Sequence, residues 1–398
     1  MDRTILHCDC NGFYAAVETV LRPELAAVPM AVCGEADKRH GIILAKNEKA
    51  KAFGVKTAET IWQAKRKCPG LVLVPPHHAQ YRRMSEKVNA IYGRFTDLVE
   101  PFGIDESWLD VTGTTHLFGD GKTIADTLRD TVRHELGITI SAGVSFNKVF
   151  AKLGSDYKKP DATTVITKEN FRAVLWPLPA SDLLFVGRAA EKVLSGMGIH
   201  TIGELAAADK ALLHGALGKL GDTLHRYANG LDDAPVRPEG ARELKSVGNG
   251  MTFSRDLVGI AALRAALLPL ADEVAARMRK HGVKCRAVQL QIRDPSFKTI
   301  SRQRQLEVPS DLSSELAAAA LSLLRQGWPD GKPVRMLTLT ALSLLPAEEA
   351  GEQLTLFDDG AAAAREKRER LERALDRIRA RYGPGAITGG GTLHSPDD

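Results

Sequence analysis

Short apolar runs alternate with amphipathic stretches along the first 165 residues. Residues 3–9 predict a buried strand that ends at Asp9, and the next stretch, NGFYAAVETVL, predicts a turn that opens a helix. Strand-like runs follow at 30–34, 41–45, on both sides of the acids in 102–113, and at 138–146; helix-like runs follow at 59–70, 79–97, 121–136 and 147–157. This order predicts an α+β sheet with helices on one face.

The pattern changes after about residue 170. Paired short helices that turn at glycines fill 183–232, and the stretch 233–242, with its prolines, glycine and charges, predicts a linker. Residues 245–345 then alternate strands with helices at 260–281 and 311–325, which predicts a second α+β module. From residue 346 an exposed acidic linker leads into a charged helix over 361–382.

Composition and charge narrow the function classes. The 398 residues are 44% hydrophobic and carry a formal charge of only +5, so binding of a polyanion must come from local patches. No run reaches the roughly 18 apolar residues of a membrane span, and the N-terminus MDRTILHCDC lacks a signal-peptide core. Five cysteines without a disulfide-like pattern indicate a cytoplasmic protein. The cysteines are interpreted as buried residues in strands rather than as zinc ligands, because a zinc site needs four suitably spaced ligands.

The stretch FGIDESWLD, residues 102–110, places the adjacent carboxylates of Asp105 and Glu106 in an apolar run. Charge in such a position needs a partner. Since Asp9 ends a strand and the other two acids lie at a strand junction, all three can converge at one sheet edge. Converging carboxylates raise one another's pKa unless a cation neutralises them, and oxygen ligands select Mg²⁺ or Mn²⁺. Solvated or capping acids are the alternative interpretation.

Several motifs together resemble one polymerase family. DCNGFYAAVE at 9–18, FGIDESWLDVTG at 102–113 and GVSFNKVFAKLGSDYKKPD at 143–161 resemble the Y-family DNA polymerases of the DinB type. GMGIHTIGEL at 196–205 and KSVGNGMTF at 245–253 resemble that family's thumb and the start of its little finger. The motifs keep the family's order over about 345 residues.

The resemblance implies an α+β fold, a right-hand polymerase with palm, small fingers, helical thumb and an α+β little-finger domain. Placed on this chain, the expected parts are the palm at 1–11 and 79–166, the fingers at 12–78, the thumb at 167–232, the linker at 233–242, the little finger at 243–345 and a tail at 346–398.

The resemblance also implies a reaction. It is template-directed, low-fidelity addition of dNTPs to a primer 3′-hydroxyl, used for translesion synthesis in DNA damage tolerance. Asp9, Asp105 and Glu106 would bind two Mg²⁺ ions, with Mn²⁺ as the alternative, and the backbone carbonyl of Cys10 would add a ligand. One ion would activate the primer hydroxyl, and the other would hold the triphosphate and the leaving pyrophosphate.

Contacts to the incoming nucleotide follow from the same resemblance. Tyr14 matches the steric gate that excludes a 2′-hydroxyl, Phe13 lies in the pocket floor, and Lys159 matches a lysine that reaches the triphosphate. Without the family, Tyr14 would be interpreted as packing at a helix start. The fingers depart from the family pattern: Glu48 stands where many relatives have Tyr, and Lys51 stands where they have Arg. We expect weaker nucleotide affinity, since Lys51 lacks the bidentate fork of arginine and Glu48 would repel a triphosphate unless Lys46, Lys49 or a metal offsets its charge.

Basic residues concentrate in 277–304, which holds nine Lys or Arg and the single acid Asp294. A solvated face is the usual meaning of such a run, but strand periodicity places several of these residues on one side, as a surface that tracks DNA phosphates would need. The predicted DNA-binding residues are Arg277, Arg279, Lys280, Lys284, Arg286, Lys298, Arg302 and Arg304. The thumb glycines at 187, 198, 218 and 221 fit helix-hairpin-helix turns, with plain connections between helices as the alternative.

The tail carries QLTLF at 353–357, which resembles the motif by which bacterial polymerases bind the sliding (beta) clamp. Its expected contact residues are Gln353, Leu354, Leu356 and Phe357. The helix after it has an apolar stripe at Leu371, Leu375 and Ile378; a solvated helix is the favoured interpretation and a second partner site the alternative.

Two other classes of function remain open at this point. A catalytically silent accessory protein of the same fold would lack the acids, yet all three are present. A palm-fold nucleotide cyclase would need neither thumb nor little finger, and the basic run at 277–304 argues against it. We expect a monomer that binds primer-template DNA, dNTPs and the clamp, with no membrane association.

Overall fold

The computed structural model describes residues 2–34, 41–238, 244–350 and 361–387. The chain divides into two compact units. The first holds the described residues up to 238, and the second holds those from 244 onward. Within these ranges, no helix combines the length and the apolar character needed to cross a bilayer.

Among the described residues of the first unit, eight strands form two sheets. They are Ile5–Cys10 (β1), Met30–Cys33 (β2), Ile43–Lys46 (β3), Val72–Val74 (β4), Val99–Pro101 (β5), Glu106–Asp110 (β6), Ile140–Ser145 (β7) and Thr163–Val165 (β8). The larger sheet has the order β5-β6-β1-β7-β8, with β1 central and antiparallel to both neighbours. The smaller sheet has the order β3-β2-β4. The sequence pattern missed the short strands β4 and β8, since three residues are too few to show a period.

Twelve α-helices lie within the described part of the same unit. They are Phe13–Leu21 (α1), Glu48–Ala52 (α2), Ile61–Lys67 (α3), His78–Tyr92 (α4), Thr115–Phe118 (α5), Gly121–Leu136 (α6), Lys148–Tyr157 (α7), Phe171–Leu175 (α8), Arg188–Gly196 (α9), Ile202–Ala207 (α10), Lys210–Leu217 (α11) and Lys219–Ala228 (α12). Side-chain caps explain several starts: Asp120 accepts from the Thr123 amide at α6, and Asn147 accepts from the Phe150 amide at α7.

Both faces of the larger sheet are covered, so the expectation of helices on one face was wrong. Leu6 and Cys8 of β1 pack into a core with α4 and α6, whereas Ile5 and Trp108 pack with Ala151 of α7 on the opposite face. Alternation along a strand puts successive side chains on opposite faces, and in β1 both sets are buried. The start of the predicted linker joins this second face, because Val236 is buried beside Ile5 and Trp108.

The paired short helices of 183–232 turn at glycines, as predicted, with one exception. Gly198 follows α9 at φ +76°, and Gly218 separates α11 from α12 at φ +60°, both conformations that favour glycine. Gly221 instead lies inside α12, where an added Cβ would overlap the carbonyl of Leu213. Its role is close helix packing rather than a turn.

The second unit is one antiparallel sheet backed by two long helices. Its elements are Ser246–Leu257 (β9), Ile260–Lys280 (α13), Val283–Arg293 (β10), Thr299–Ser310 (β11), Ser313–Gly327 (α14), Val334–Pro346 (β12) and Ala361–Tyr382 (α15). The sheet order is β11-β10-β12-β9. Leucines and alanines of α13 and α14 form the core with alternate residues of the strands.

Helix α15 docks on this unit, so its interpretation as a solvated helix was wrong. Its charged side makes the contact: Glu372 and Asp376 pair with Arg279 at the end of α13, and Glu369 pairs with Lys284. The apolar stripe behaves differently, because Leu371 and Ile378 remain exposed.

Candidate active site

Strand pairing brings the three predicted acids together. Asp9 near the end of β1 lies directly opposite Glu106 at the start of β6. Asp105 precedes that strand, and its carbonyl accepts a hydrogen bond from the Cys10 amide at 2.9 Å. Both predicted strand ends therefore meet at one edge of the larger sheet. The predicted role of the Cys10 carbonyl as a metal ligand remains a prediction.

Helix α7 reaches this edge because a glycine lets it approach the sheet. An added Cβ at Gly143 of β7 would overlap the Ala151 carbonyl and the Ser155 amide, so only glycine fits there. The close approach places Lys152 beside Glu106 and Ser155 beside the buried His7 of β1. Lys148 of the same helix donates to Glu100 at 2.7 Å.

Glu106 is held by two basic groups. Lys152 donates to its Oε2, and Nε2 of His7 lies 3.1 Å from the same oxygen. Burial would raise the pKa of Glu106, but contact with His7 and Lys152 lowers it to about 2. The carboxylate is therefore ionised throughout the physiological pH range.

Asp9 meets the lysine predicted to reach the triphosphate. Nζ of Lys159 lies 2.7 Å from Asp9 and 2.7 Å from Asp156. Burial raises the pKa of Asp9, and the Lys159 charge only partly offsets this. Burial would lower the pKa of Lys159, yet its two carboxylates outweigh burial and raise it. Lys159 is thus a fixed positive charge at the acidic edge.

Asp105 is the least compensated of the three acids. Burial, then the charges of Asp9 and Glu106, raise its pKa to about 6. Across the described ranges no three His, Cys, Asp or Glu side chains already converge as around a bound metal. The donor set nonetheless fits hard divalent cations, because it offers carboxylate oxygens only. Burial and then the charges of Asp9 and Glu106 raise the pKa of Asp105, and a bound cation would oppose both effects.

The predicted nucleotide contacts lie next to these acids. Phe13 is buried and Tyr14 half-buried at the start of α1, where Gly12 has φ +54°. Burial and then the charge of Asp105 raise the pKa of Tyr14. Tyr14 also stacks on Tyr81 of α4, with ring centroids 4.2 Å apart.

The negative charge of Glu48, at the position where many relatives have Tyr, is paired with a neighbouring lysine. Glu48 begins α2 and accepts from Lys51 at 3.3 Å, with both side chains more than half exposed. Lys46 and Lys49 are the other two lysines that could offset the charge of Glu48. They bond elsewhere: Lys46 donates to Thr57, and Lys49 donates to the Ala27 carbonyl.

The predicted DNA-binding residues of the second unit separate into two groups. Arg279 and Lys284 face α15, with side chains only 7% and 12% exposed. Arg304 donates to Ser322 of α14, and the Arg302 stem lies against Gly327, so these two share one side of edge strand β11. The exposed members are Arg277, Lys280, Arg286, Lys298, Arg302 and Arg304.

Two further predictions concern the clamp motif and the cysteines. The clamp motif at 353–357 lies outside the described residues. All five cysteines are free and buried, as the buried-strand interpretation expected for Cys8, Cys10 and Cys33.

Sequence reasoning missed four residues that support the site. His7 and Lys152 contact Glu106, Tyr81 stacks on Tyr14, and the buried Glu18 accepts from the Tyr81 hydroxyl at 2.6 Å. A usable signal was present for two of them. His7 is a titratable residue inside an apolar strand, and Glu18 is an acid on the apolar side of α1.

Comparison with known families covers both units. The impB/mucB/samB family matches residues 8–156, and the C-terminal domain of the impB/mucB/samB family matches residues 244–356. The first match contains the three acids and the second contains the sheet of the second unit.

Individual proteins are similar over nearly the whole chain. DNA polymerase IV of Acetivibrio thermocellus is 46% identical over 384 residues, 96% of each chain. DNA polymerase IV of Moorella thermoacetica is 38% identical over 400 residues, covering 99% of this chain and 98% of that one. DNA polymerase IV 1 of Bacillus subtilis is 38% identical over 391 residues, with 98% and 93% covered.

A solved structure has the same fold. A Y-family DNA polymerase chimera superposes with a TM-score of 0.77 at 22% identity, over 86% of this chain and 99% of its own. This likeness confirms the predicted α+β polymerase fold. Together with the full-length relatives, it leads to one conclusion: the chain belongs to the DNA polymerase IV (DinB) family of Y-family translesion DNA polymerases.

Proposed function

We propose that this chain carries out the DNA-directed DNA synthesis of its family at the edge formed by Asp9, Asp105 and Glu106. The substrates are a primer-template duplex and a dNTP, and the products are a primer longer by one nucleotide and pyrophosphate. The observation that carries the proposal is the pairing of Asp9 opposite Glu106, with Asp105 directly before Glu106 and hydrogen-bonded through its carbonyl to the Cys10 amide.

The three carboxylates would hold two Mg²⁺ ions, with Mn²⁺ able to replace them. When bound, these ions would lower the pKa of the primer 3′-hydroxyl and stabilise negative charge on the reacting phosphate. The chain's own groups prepare the edge for this role. Lys152 keeps Glu106 ionised, and Lys159 offers a point charge to the triphosphate from its position beside Asp9.

The sugar of the nucleotide would rest against Tyr14, which excludes a 2′-hydroxyl by contact, while Phe13 forms the floor beneath it. Tyr81 supports this function, because its stacked ring restricts the movement of Tyr14. Lys51 is proposed as the fingers contact to phosphate, although its pairing with Glu48 reduces the charge that it can offer.

The second unit would bind the DNA backbone through the six exposed residues of the predicted DNA-binding set, a contact that is independent of sequence and weakened by salt. We leave Arg279 and Lys284 out of this surface, because their partners are the acids of α15. The motif at 353–357 is proposed to bind a sliding clamp. A monomer is proposed to be active, since the three acids and Lys159 all come from one chain. The proposed location is the cytoplasm, where DNA and dNTPs are present.

Primer extension tests the proposal. The purified chain should extend a labelled primer on a template when Mg²⁺ and dNTPs are supplied, and Asp105→Ala with Glu106→Ala should abolish extension. A wild-type chain that binds primer-template but adds no nucleotide would favour the silent accessory role. Removing residues 353–357 should leave extension of short templates unchanged and abolish stimulation by the clamp.

A further inference from the structure

The imidazole of His7 is fully buried behind the acidic edge. Its strand position lies opposite Trp108 in β6 and opposite Gly143 in β7, so it shares a sheet face with Asp9 and Glu106. None of its surface is exposed, and Trp108 lies against its ring at a centroid distance of 5.2 Å. Burying a polar ring costs free energy unless its nitrogens find partners.

Both ring nitrogens lie close to polar groups, and only Nδ1 makes a hydrogen bond in the described structure, because Nε2 is near Glu106 without hydrogen-bond geometry. Nδ1 lies 2.7 Å from Oγ of Ser155, whose single proton is shared between Nδ1 and the Lys152 carbonyl 2.8 Å away. When Ser155 donates to Nδ1, the neutral ring carries its own proton on Nε2. Nε2 lies 3.1 Å from Oε2 of Glu106. The ring is therefore fixed on one side by α7 and presents its other nitrogen to the carboxylate.

The contacts to Glu106 select one of its two oxygens. His7 and Lys152 both approach Oε2, so Oε1 is the oxygen left for a ligand. A glutamate has three rotatable side-chain bonds, and its carboxylate loses this freedom when Oε2 is held from two directions. Groups that orient a metal-ligating side chain in this way typically alter metal affinity or activity about 10–100-fold when removed.

We propose that His7 is a positioning residue for Glu106, with Ser155 fixing the orientation of the imidazole. The inference rests on the proposed function, in which Glu106 holds the metal ions. A purely structural histidine would only fill space against Trp108. Phenylalanine could do the same, since it has a ring of similar size without the nitrogens.

The test separates the nitrogens from the volume of the ring. His7→Phe keeps a ring against Trp108 and removes both nitrogens, whereas His7→Gln supplies an amide that can reach Glu106. Ser155→Ala removes the orienting hydroxyl. Its matched control is Ser145→Ala on β7, which removes another buried hydroxyl, one with no hydrogen-bond partner in the described structure.

Two readouts are needed. The first is kcat, the KM for dNTP and the half-saturating Mg²⁺ concentration. The second readout does not depend on turnover. It is the Mn²⁺ affinity of the protein in complex with a dNTP and a primer that lacks its 3′-hydroxyl, measured from the electron paramagnetic resonance signal of free Mn²⁺.

His7→Phe should lower kcat about 10–100-fold and weaken Mn²⁺ binding about tenfold, with the KM for dNTP within twofold of wild type. Ser155→Ala should show a smaller change of the same kind, His7→Gln should recover most of the loss, and Ser145→Ala should match wild type. Unchanged Mn²⁺ affinity in both His7→Phe and Ser155→Ala overturns the proposal. Equal impairment of His7→Gln and His7→Phe with matching losses of Tm also overturns it. If His7→Phe fails to fold, Ser155→Ala decides. A wild-type chain without primer extension contradicts the proposed function instead.

Discussion

The ring of Tyr14 stacks on the ring of Tyr81, with centroids 4.2 Å apart and planes 14° from parallel. The Tyr81 hydroxyl donates to the buried Glu18 at 2.6 Å, and Glu18 also contacts His77 and Arg22. The proposed steric gate is thus braced by a second ring that is itself held by a buried carboxylate. A gate excludes a 2′-hydroxyl only if the ring cannot move away from it.

Tyr81→Leu should therefore weaken discrimination against ribonucleotides. An aromatic pair contributes roughly 0.5–1.5 kcal/mol, so the ratio of kcat/KM for dCTP over CTP opposite a template G should fall about tenfold at most. Tyr81→Phe keeps the ring and loses only the bond to Glu18, and its ratio should fall less than threefold. A ratio unchanged in Tyr81→Leu, while Tyr14→Ala loses discrimination, would show that the gate needs no support.

Glu48→Gln should lower the KM for dNTPs about two- to fivefold. The substitution removes a charge that repels triphosphate and releases Lys51 from an exposed ion pair, an interaction contributing at most about 1 kcal/mol. Glu48→Tyr, which restores the residue of many relatives, should act in the same direction. Steady-state kinetics on one primer-template measures both effects.

Two controls identify the source of any gain in nucleotide affinity. Glu24→Gln removes another exposed acid of the segment proposed as fingers and should leave the KM unchanged. The double variant Glu48→Gln with Lys51→Gln should lose the gain if Lys51 is the contact. A gain that survives in the double variant assigns the effect to repulsion by Glu48 alone.

Asp105 should make the metal-free protein less stable as the pH rises. Its pKa is raised from 3.8 to about 6, so the folded state binds more protons than the unfolded state across that window. Stability contributed by this group is therefore present at low pH and is lost as the pH passes through about 6. The lowered pKa of Glu106, about 2, acts with the opposite sign and only at more acidic pH.

Asp105→Asn should accordingly raise the Tm in EDTA at pH 7.5, by roughly 2–4 °C, and leave it unchanged near pH 4. Added Mg²⁺ should raise the Tm of wild type more than that of the variant, since the ion replaces the lost proton. Asp97→Asn, a change at an exposed site of the same unit, should have no such pH dependence. Parallel Tm–pH curves for wild type and Asp105→Asn would contradict the argument.

Local sequence signals predicted most elements and the acidic edge. Helix α6 has the predicted bounds because Asp120 supplies its cap and Gly137 ends it at φ +70°. The convergence of Asp9 with Asp105 and Glu106 was predictable, because Asp9 lies at the end of one predicted strand and the other two acids lie at a junction between strands. In each case the determining groups lie within a few positions of the element.

The misplaced elements depended on contacts between distant segments. The apolar period of α7 shows that it packs on something, but its side of the sheet depends on the space above Gly143. His7 and Lys152 meet Glu106 only after that packing. Helix α15 was misjudged because its charges, rather than its apolar stripe, match the surface that it covers.

The docking of α15 leads to a prediction about stability. Arg279 is 7% exposed and pairs with both Glu372 and Asp376, and Glu372 also accepts from the Ser313 amide at the start of α14. Glu372→Gln leaves the buried Arg279 with one carboxylate fewer and weakens that cap. Removing one partner of a buried pair costs about 3–5 kcal/mol of stability. Because Asp376 still pairs with Arg279, the loss of stability should be at or below the lower figure.

Hydrogen exchange on the full chain measures this effect where it occurs. Amides of 361–382 should exchange at least tenfold faster in Glu372→Gln than in wild type, because the helix detaches more often. The matched control is Glu366→Gln on the same helix. Its exposed carboxylate pairs with Arg370 one turn along the helix, an interaction that contributes at most about 0.5 kcal/mol. Equal exchange in both variants would mean that apolar contacts hold α15 in place. If exchange is faster in Glu372→Gln alone, and Glu372→Asp exchanges at the rate of wild type, the docking depends on the buried ion pair.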